Sequence, residues 1–309
     1  MRLIAGVDES GRGPIAGPVV AVAVILPQGL RIDGVRDSKK VSEKKRFLLF
    51  PEILDKAISV GVGIVHEDEI DRINVLSATR KAMRIALGKL DPQPDEALID
   101  GYGLPDQIVK NHGILVGDEK IHVISAASIV AKVTRDLIVQ MYDIVFPEYN
   151  FRKHKGYGTR EHLERLKKHL ACPIHRKSFH PVRYYMPTLT YLKENRLLGK
   201  WGEKLAAREL IHKGYEIIEM NYNAAPYGEI DIIARNNRTT VFVEVKTASH
   251  YKWSRPEVKV NSKKIRHLDK AFEIYLNERE GIGDCRFDLV TILFGRGTPR
   301  IKHFIDFLN

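Results

Sequence analysis

Cysteine is nearly absent: Cys172 and Cys285 are the two in 309 residues. A pair so far apart supplies neither a disulfide framework nor the paired spacing of a zinc site, and it fits a reducing compartment. Long apolar runs are missing as well. The longest, Val19 to Leu26, falls well short of the roughly 20 residues that cross a bilayer, so no membrane partner is expected. The opening segment MRLIAGVDES brings in carboxylates where a signal peptide needs an apolar core, so none is expected there. No internal repeat or low-complexity tract is evident. The balance of 44% apolar and 29% charged residues is that of a globular chain, and a soluble cytoplasmic protein is the expectation.

What is abundant is positive charge. Fifty Lys and Arg against 39 Asp and Glu leave +11. Residues 1–189 carry +6 and residues 190–309 carry +5, so the surplus is not one basic tail. Basic surfaces favour polyanions, because each neutralised phosphate releases counterions, though a solvated basic face gives the same count. The length favours two domains. Segments 3–7, 18–26 and 57–65 read as strands, 70–90 as one helix by its apolar spacing, 97–99 as a short strand, and 125–145 and 160–170 as helices. An antiparallel start followed by strand–helix alternation predicts an α/β fold: a mixed sheet with helices on its faces. The pattern lapses at 183–196. We place domains at 1–188 and 197–309, with a linker at 189–196. After it, helix 198–213, strands 215–222, 229–234 and 240–246, helix 263–277 and strands 286–294 and 300–304 form a second, smaller α/β unit.

Asp8 and Glu9 stand together at a strand end, just before Ser10-Gly11-Arg12-Gly13. Successive strand residues face opposite ways, so both carboxylates reach one site only where the strand gives way to a turn. Asp100 ends another apolar strand, before Gly101. Carboxylates at strand ends of an α/β sheet border a ligand crevice, and several oxygen donors suit Mg²⁺ or Mn²⁺ beside a phosphodiester. A lone Asp-Gly pair such as Asp100-Gly101 reads first as a turn former.

Five segments, in order, resemble ribonuclease HII, the type 2 ribonuclease H family: GVDESGRGPIAGPVVAVAVIL at 6–26, RDSKKVSEKKR at 36–46, ALIDGYGLP at 97–105, ISAASIVAKVTRD at 124–136 and HKGYGT at 154–159. The likeness spans roughly the first 185 residues. It implies a ribonuclease H-like fold and metal binding by Asp8, Glu9 and Asp100. Asp118 and Asp136 compete for a fourth catalytic carboxylate; Asp118 is chosen because it precedes the SAAS helix start, whereas Asp136 sits in a helical run where pairing with a neighbour is usual. The resemblance further implies two-metal hydrolysis of RNA within RNA–DNA hybrids, with Mn²⁺ or Mg²⁺, Asp8 as bridging ligand and 5′-phosphate and 3′-hydroxyl ends. Substrates would include single ribonucleotides in duplex DNA, a DNA-repair task. Gly11, Arg12 and Gly13 would approach the 2′-hydroxyl, and Tyr157 would pack on the sugar. Residues 151–189 carry a local charge of +8, and Lys153, Lys155, Arg176 and Lys177 are expected at phosphates. His154, His175 and His180 match no zinc spacing and are expected to be structural or phosphate-facing.

Residues 196–309 resemble the YraN family, of the restriction-endonuclease-like superfamily, through Gly199-Lys200-Trp201-Gly202-Glu203, GEIDIIA at 228–234, VFVEVKT at 241–247 and RFDLVTI at 286–292. That likeness implies a DNA-cutting site of Asp231, Glu244 and Lys246, completed by Glu203, with the carboxylates holding Mg²⁺ and the lysine acting on water. Glu244 and Lys246 share a strand face, where a simple ion pair is the common alternative. Ala248 departs from the family, which usually has Arg there, and weakens any substrate contact at that position.

Overall fold

The computed structural model describes residues 2–249, 262–279, 282–295 and 297–307, in two compact units. The first takes residues 1–140, 152–168 and 174–185; the second takes 141–151, 169–173 and 186–309. Residues 189–194 of the expected linker form a short helix, α8 (Leu189–Glu194). No described helix is long and apolar enough to cross a membrane.

The first unit is built on strands β1 (Ile4–Ser10), β2 (Val19–Ile25), β3 (Ser59–Val65), β4 (Glu96–Asp100) and β5 (Asn111–Ile114), in the spatial order β3-β2-β1-β4-β5. β1, β2 and β3 pair antiparallel, while β1–β4 and β4–β5 are parallel. The mixed sheet expected from the element order is therefore present. Its helices are α1 (Glu43–Lys56), α2 (Glu67–Ile73), α3 (Val75–Gly88), α4 (Gly117–Lys120), α5 (His122–Val145), α6 (Phe151–His154) and α7 (Arg160–His169). Strand alternation sorts the two faces. Ala5, Val7, Val19, Ala21, Ala23 and Ile25 pack with Ala78, Ala82, Met83, Ala86 and Leu87 of α3. On the opposite face Gly6 abuts the backbone of Val123, at the start of α5. β2 is buried on both faces, which is why its sequence is an unbroken Val/Ala run rather than an alternation.

The single helix expected at 70–90 is two. Asn74, at φ 66, breaks the run, and its side chain accepts the Ser77 N–H at 3.0 Å to cap α3. Apolar spacing survives such a break, because both helices bury residues against the same sheet, and asparagine is among the few residues that tolerate positive φ while capping.

The second unit contains α8, α9 (Leu198–His212), β6 (Glu216–Asn223), β7 (Glu229–Asn236), β8 (Thr239–Ala248), α10 (Ser262–Asn277), β9 (Cys285–Leu293) and β10 (Arg300–Phe304). The strand order is β10-β9-β8-β7-β6. A two-residue hairpin turn, with Asn237 at φ 54, joins β7 to β8. β8 and β9 are parallel and need a crossover, and α10 lies in it. Ala271 and Tyr275 of α10 pack with Tyr222, Ile230, Ile233 and Phe242. α9 lies against β8 so closely that a Cβ on Gly202 would overlap Thr247. This is the smaller second α/β unit that the sequence implied.

Candidate active site

β1 and β4 run parallel with Val7 opposite Ile99, so Asp8 and Asp100 follow side by side at the next step. Asp118 enters from α4. One carboxylate oxygen from each of Asp8, Asp100 and Asp118 lies within 4.8 Å of the other two. Local backbone fixes the set: Asp100 Oδ1 accepts the Gly117 N–H at 2.7 Å and the Asp118 N–H at 3.3 Å. Ser125 of α5 donates to the Asp118 carbonyl at 2.7 Å. Asp8 and Asp118 are each only 4% exposed.

Burial pushes the Asp8 carboxyl well above the usual carboxylate range, and the like charges of Glu9 and Asp100 push it further, against a hydrogen bond from Ser128. Asp118 is raised by burial and then by Asp100. Three hard oxygen donors converge here, and two of them are held reluctant to ionise; that donor set fits a hard divalent cation, which would relieve the repulsion.

Glu9 is not within that three-residue group. β1 continues through Ser10, two residues past Asp8, yet Glu9 stays within electrostatic reach of the set: its charge raises Asp8, and Asp100 and Lys39 act on it in turn. Its Oε1 sits 3.4 Å from Nη1 of Arg12. Burial raises its carboxyl, with Arg12 working against the rise. Asp136 is also elsewhere: it is 1% exposed and pairs with Lys132 one helical turn earlier, at 2.7 Å.

The 36–46 segment contributes residues to which sequence reasoning gave no role. Lys39 Nζ lies 3.5 Å from Asp118 Oδ2. Burial lowers the Lys39 ammonium, but Asp118, Asp37 and Asp8 outweigh it and leave it raised. The hydroxyls of Ser38 and Ser128 lie in hydrogen-bond contact at 2.9 Å, tying this segment to the residue that serves Asp8. The signal was present as the Asp-Ser-Lys triplet, but its spatial partners were not.

Beside the acids the chain turns through Gly11, Arg12 and Gly13. Gly11 has φ +104, a conformation closed to most side chains. A Cβ placed on Gly13 would lie 3.6 Å from a ring carbon of Tyr157, so turn and ring form one surface. Tyr157 is 42% exposed. Among the basic residues expected at phosphates, Lys177 is exposed and pairs with Asp68, and Lys153 pairs with Glu161. Lys155 is buried against Glu43, and Arg176 is fully buried, so the phosphate expectation for Arg176 is withdrawn. His154, His162 and His175 are internal, with His162 Nε2 3.0 Å from His175 Nε2.

In the second unit Asp231 Oδ2 accepts the Val245 N–H at 2.6 Å. Glu244 is buried and ion-paired with Lys246 on the shared face of β8. Glu203 accepts from Asn221 at 3.0 Å. These three carboxylates are not gathered as the first set is: among the described residues they form no group within 4.8 Å.

A mixed sheet with an acidic centre at the ends of its adjacent parallel strands defines the first unit as a ribonuclease H-like nuclease fold. The chain belongs to the ribonuclease HII family, whose model matches residues 5–182. It is 57% identical over 178 residues to the ribonuclease HII of Acetivibrio thermocellus, covering 58% of this chain and 70% of that protein. It is 53% identical over 184 residues to the ribonuclease HII of Lactobacillus gasseri, covering 60% and 73%. Among solved structures, the ribonuclease H2 from Pyrococcus horikoshii OT3 superposes with a TM-score of 0.50 at 27% identity, over 59% of this chain and 96% of that one. The protein is thus a ribonuclease H, an endonuclease. Residues 202–292 match the model described as uncharacterised protein family UPF0102, in keeping with the YraN resemblance.

Proposed function

We propose that the first unit hydrolyses RNA strands paired with DNA, including a lone ribonucleotide in a DNA duplex, and leaves 5′-phosphate and 3′-hydroxyl ends. The observation that carries this reading is the Asp8–Asp100–Asp118 cluster, set on the ribonuclease HII frame near the Gly11–Gly13 turn. Asp8, Asp100 and Asp118 would hold Mn²⁺ or Mg²⁺, with Glu9 at the edge of the set. When bound, a pair of such ions activates water and neutralises charge on the leaving 3′ oxygen. The chain's own residues do the selecting. The glycine turn lets backbone approach the 2′-hydroxyl, the group that separates RNA from DNA. Tyr157 offers its ring to the sugar, and Lys39 offers its ammonium to the phosphate. The cytoplasm is the compartment that fits this substrate.

The test is a cleavage assay on a duplex with one embedded ribonucleotide. Wild type is expected to cut on its 5′ side in Mn²⁺ or Mg²⁺. Tyr157→Ala is expected to lose roughly tenfold in kcat/KM there, the equivalent of about 1.4 kcal/mol. A wild-type protein that cuts long hybrids and leaves the embedded site intact would sink the single-ribonucleotide reading.

For the second unit we propose a separate DNA-cutting site at Asp231, Glu244 and Lys246, with Glu203 beside it. Its support is the Glu244–Lys246 pair on one strand face and the tie from Asp231 to the Val245 N–H between them. Lys246→Ala and Asp231→Ala should each abolish cutting of branched or duplex DNA and leave hybrid cleavage unchanged. DNA cutting that survives both substitutions rules the site out.

A further inference from the structure

Two arginines in the first unit are fully buried, and both are spent on backbone carbonyls. Arg176 donates from Nη2 to Gly11 O at 2.6 Å, from Nη1 to Arg12 O at 3.0 Å and Pro14 O at 2.7 Å, and from Nε to Gly17 O at 2.9 Å. Arg135 donates to Pro18 O at 3.0 Å, Ala16 O at 3.1 Å and Lys155 O at 3.0 Å. The backbone adds to the lattice: Arg176 N–H donates to Ile15 O, Gly17 N–H to Ile174 O and Ile15 N–H to Gly156 O, each at 2.9 Å. Residues 11–18 and the loop that carries Tyr157 are therefore bound into one block from beneath.

A buried guanidinium is poor value as a stabilising device, because its desolvation is costly and an apolar group of the same volume often serves as well. What it does supply is direction. Its five N–H donors lie in a rigid plane, and carbonyls that accept from them must turn inward. The Gly11–Gly13 turn consequently has the carbonyls of residues 11 and 12 aimed at Arg176. Burial, and then the neighbouring Arg135 charge, bring Arg176 down to about 9, which leaves it cationic at neutral pH.

We propose that Arg176, backed by Arg135, is a positioning residue for ribose recognition: the two guanidiniums hold the glycine turn and the Tyr157 loop as a preformed surface for a single ribonucleotide. The inference rests on the reading above, that this turn meets the 2′-hydroxyl. A preformed surface loses little freedom on binding, so its selectivity is sensitive to slack of a fraction of an ångström.

The test compares affinities in the absence of divalent cation, where no strand is cut. Two duplexes are used, one all-DNA and one with a single ribonucleotide. Wild type is expected to prefer the second. Arg176→Lys keeps the charge but cannot serve four carbonyls from one planar fork. It should lower that preference at least about tenfold, with affinity for the all-DNA duplex little changed at a temperature where the variant is folded. Arg135→Lys should act in the same direction. A folded Arg176→Lys protein with wild-type preference overturns the proposal. A wild type that neither prefers nor cuts the embedded ribonucleotide overturns instead the reading of the turn on which it rests. If the lysine variants do not fold, hydrogen exchange on the free wild-type protein decides. The Ile15 and Gly17 amides are expected to be as protected as those of β1, and exchange at the rate of an open loop overturns the clamp.

Discussion

An Asp8→Asn protein is expected to cut an RNA–DNA hybrid about 10³-fold more slowly than wild type, and yet to melt at a higher temperature when no divalent cation is present. The first effect follows from removing a central negative donor of a set meant to hold cations whose electrostatic help amounts to several kcal/mol. The second follows from the direction of the Asp8 shift. Its carboxyl is raised by burial and by the charges of Glu9 and Asp100. An acid whose folded pKa exceeds its unfolded one binds its proton more tightly in the folded state. Ionising it therefore weakens the metal-free fold. Metal-free stability should rise as pH falls from above the raised pKa toward the ordinary carboxylate range, and asparagine should flatten that dependence. Adding cation to wild type reverses the penalty. At a hundred times the dissociation constant, mass action alone contributes about 2.7 kcal/mol, and the Asn variant should lose most of the accompanying rise in melting temperature. Thermal melts with and without Mn²⁺ across pH, beside a cleavage assay, read all of this. Cleavage within tenfold of wild type, or a metal-free melting point below it, would contradict the account.

The largest loss of stability is expected at a residue with no side chain. Gly61 and Gly63 share one face of β3 and lie under α3, where a Cβ on Gly63 would coincide with the carbonyl oxygen of Ala82 and one on Gly61 with that of Ala86. Ala78, Ala82 and Ala86 stack at four-residue intervals on the facing side of the helix, all fully buried. Small residues on both partners allow this approach, and neither rotamer choice nor side-chain bending can relieve a clash with backbone. Gly63→Val should cost about 3 kcal/mol or more, with a melting shift of roughly 6–12 °C. Gly88, at the end of α3, has open space around it, so Gly88→Ala should leave stability unchanged or raise it slightly. Equal melting temperatures for the two variants would show that the contact is not as close as described. Activity per folded molecule should be retained in both.

Much of the first unit was legible because its signals are local. The valine run of β2, the spacing of α3 and the turn after Asp8 each need only a few residues to be read. α1 was not read, because it buries only Leu49 and Ile53, carries Pro51 in its interior and shows little periodic pattern. β5 is four residues, Asn-His-Gly-Ile, on a sheet edge, too short and too polar to register as a strand. Near the three-acid group, Asp8 and Asp100 announce themselves by following the short apolar runs 3–7 and 97–99, and Asp136 carries its explanation at i−4 in Lys132. Asp118 does not, since its place depends on Asp100 accepting two amides from α4. Arg176 misled because composition cannot distinguish a cation facing phosphate from one facing carbonyls. The basic surplus of residues 151–189 is real, but part of it is internal wiring.

The adjacency of Asp8 and Asp100 across the β1–β4 pair has a further meaning. Neighbouring strands are held about 4.8 Å apart by their hydrogen bonds, a spacing common to all β-sheets. The gap between the two carboxylates is thus borrowed from a ruler that no mutation in a loop can stretch. Loops around the centre are free to lengthen, shorten or change their chemistry without altering it. A one-residue slip of β4 against β1 would carry Asp100 to the other face and erase the centre in a single step. The spacing of the two carboxylates is accordingly inherited by the fold as a whole, and its most dangerous error is one of alignment rather than of composition.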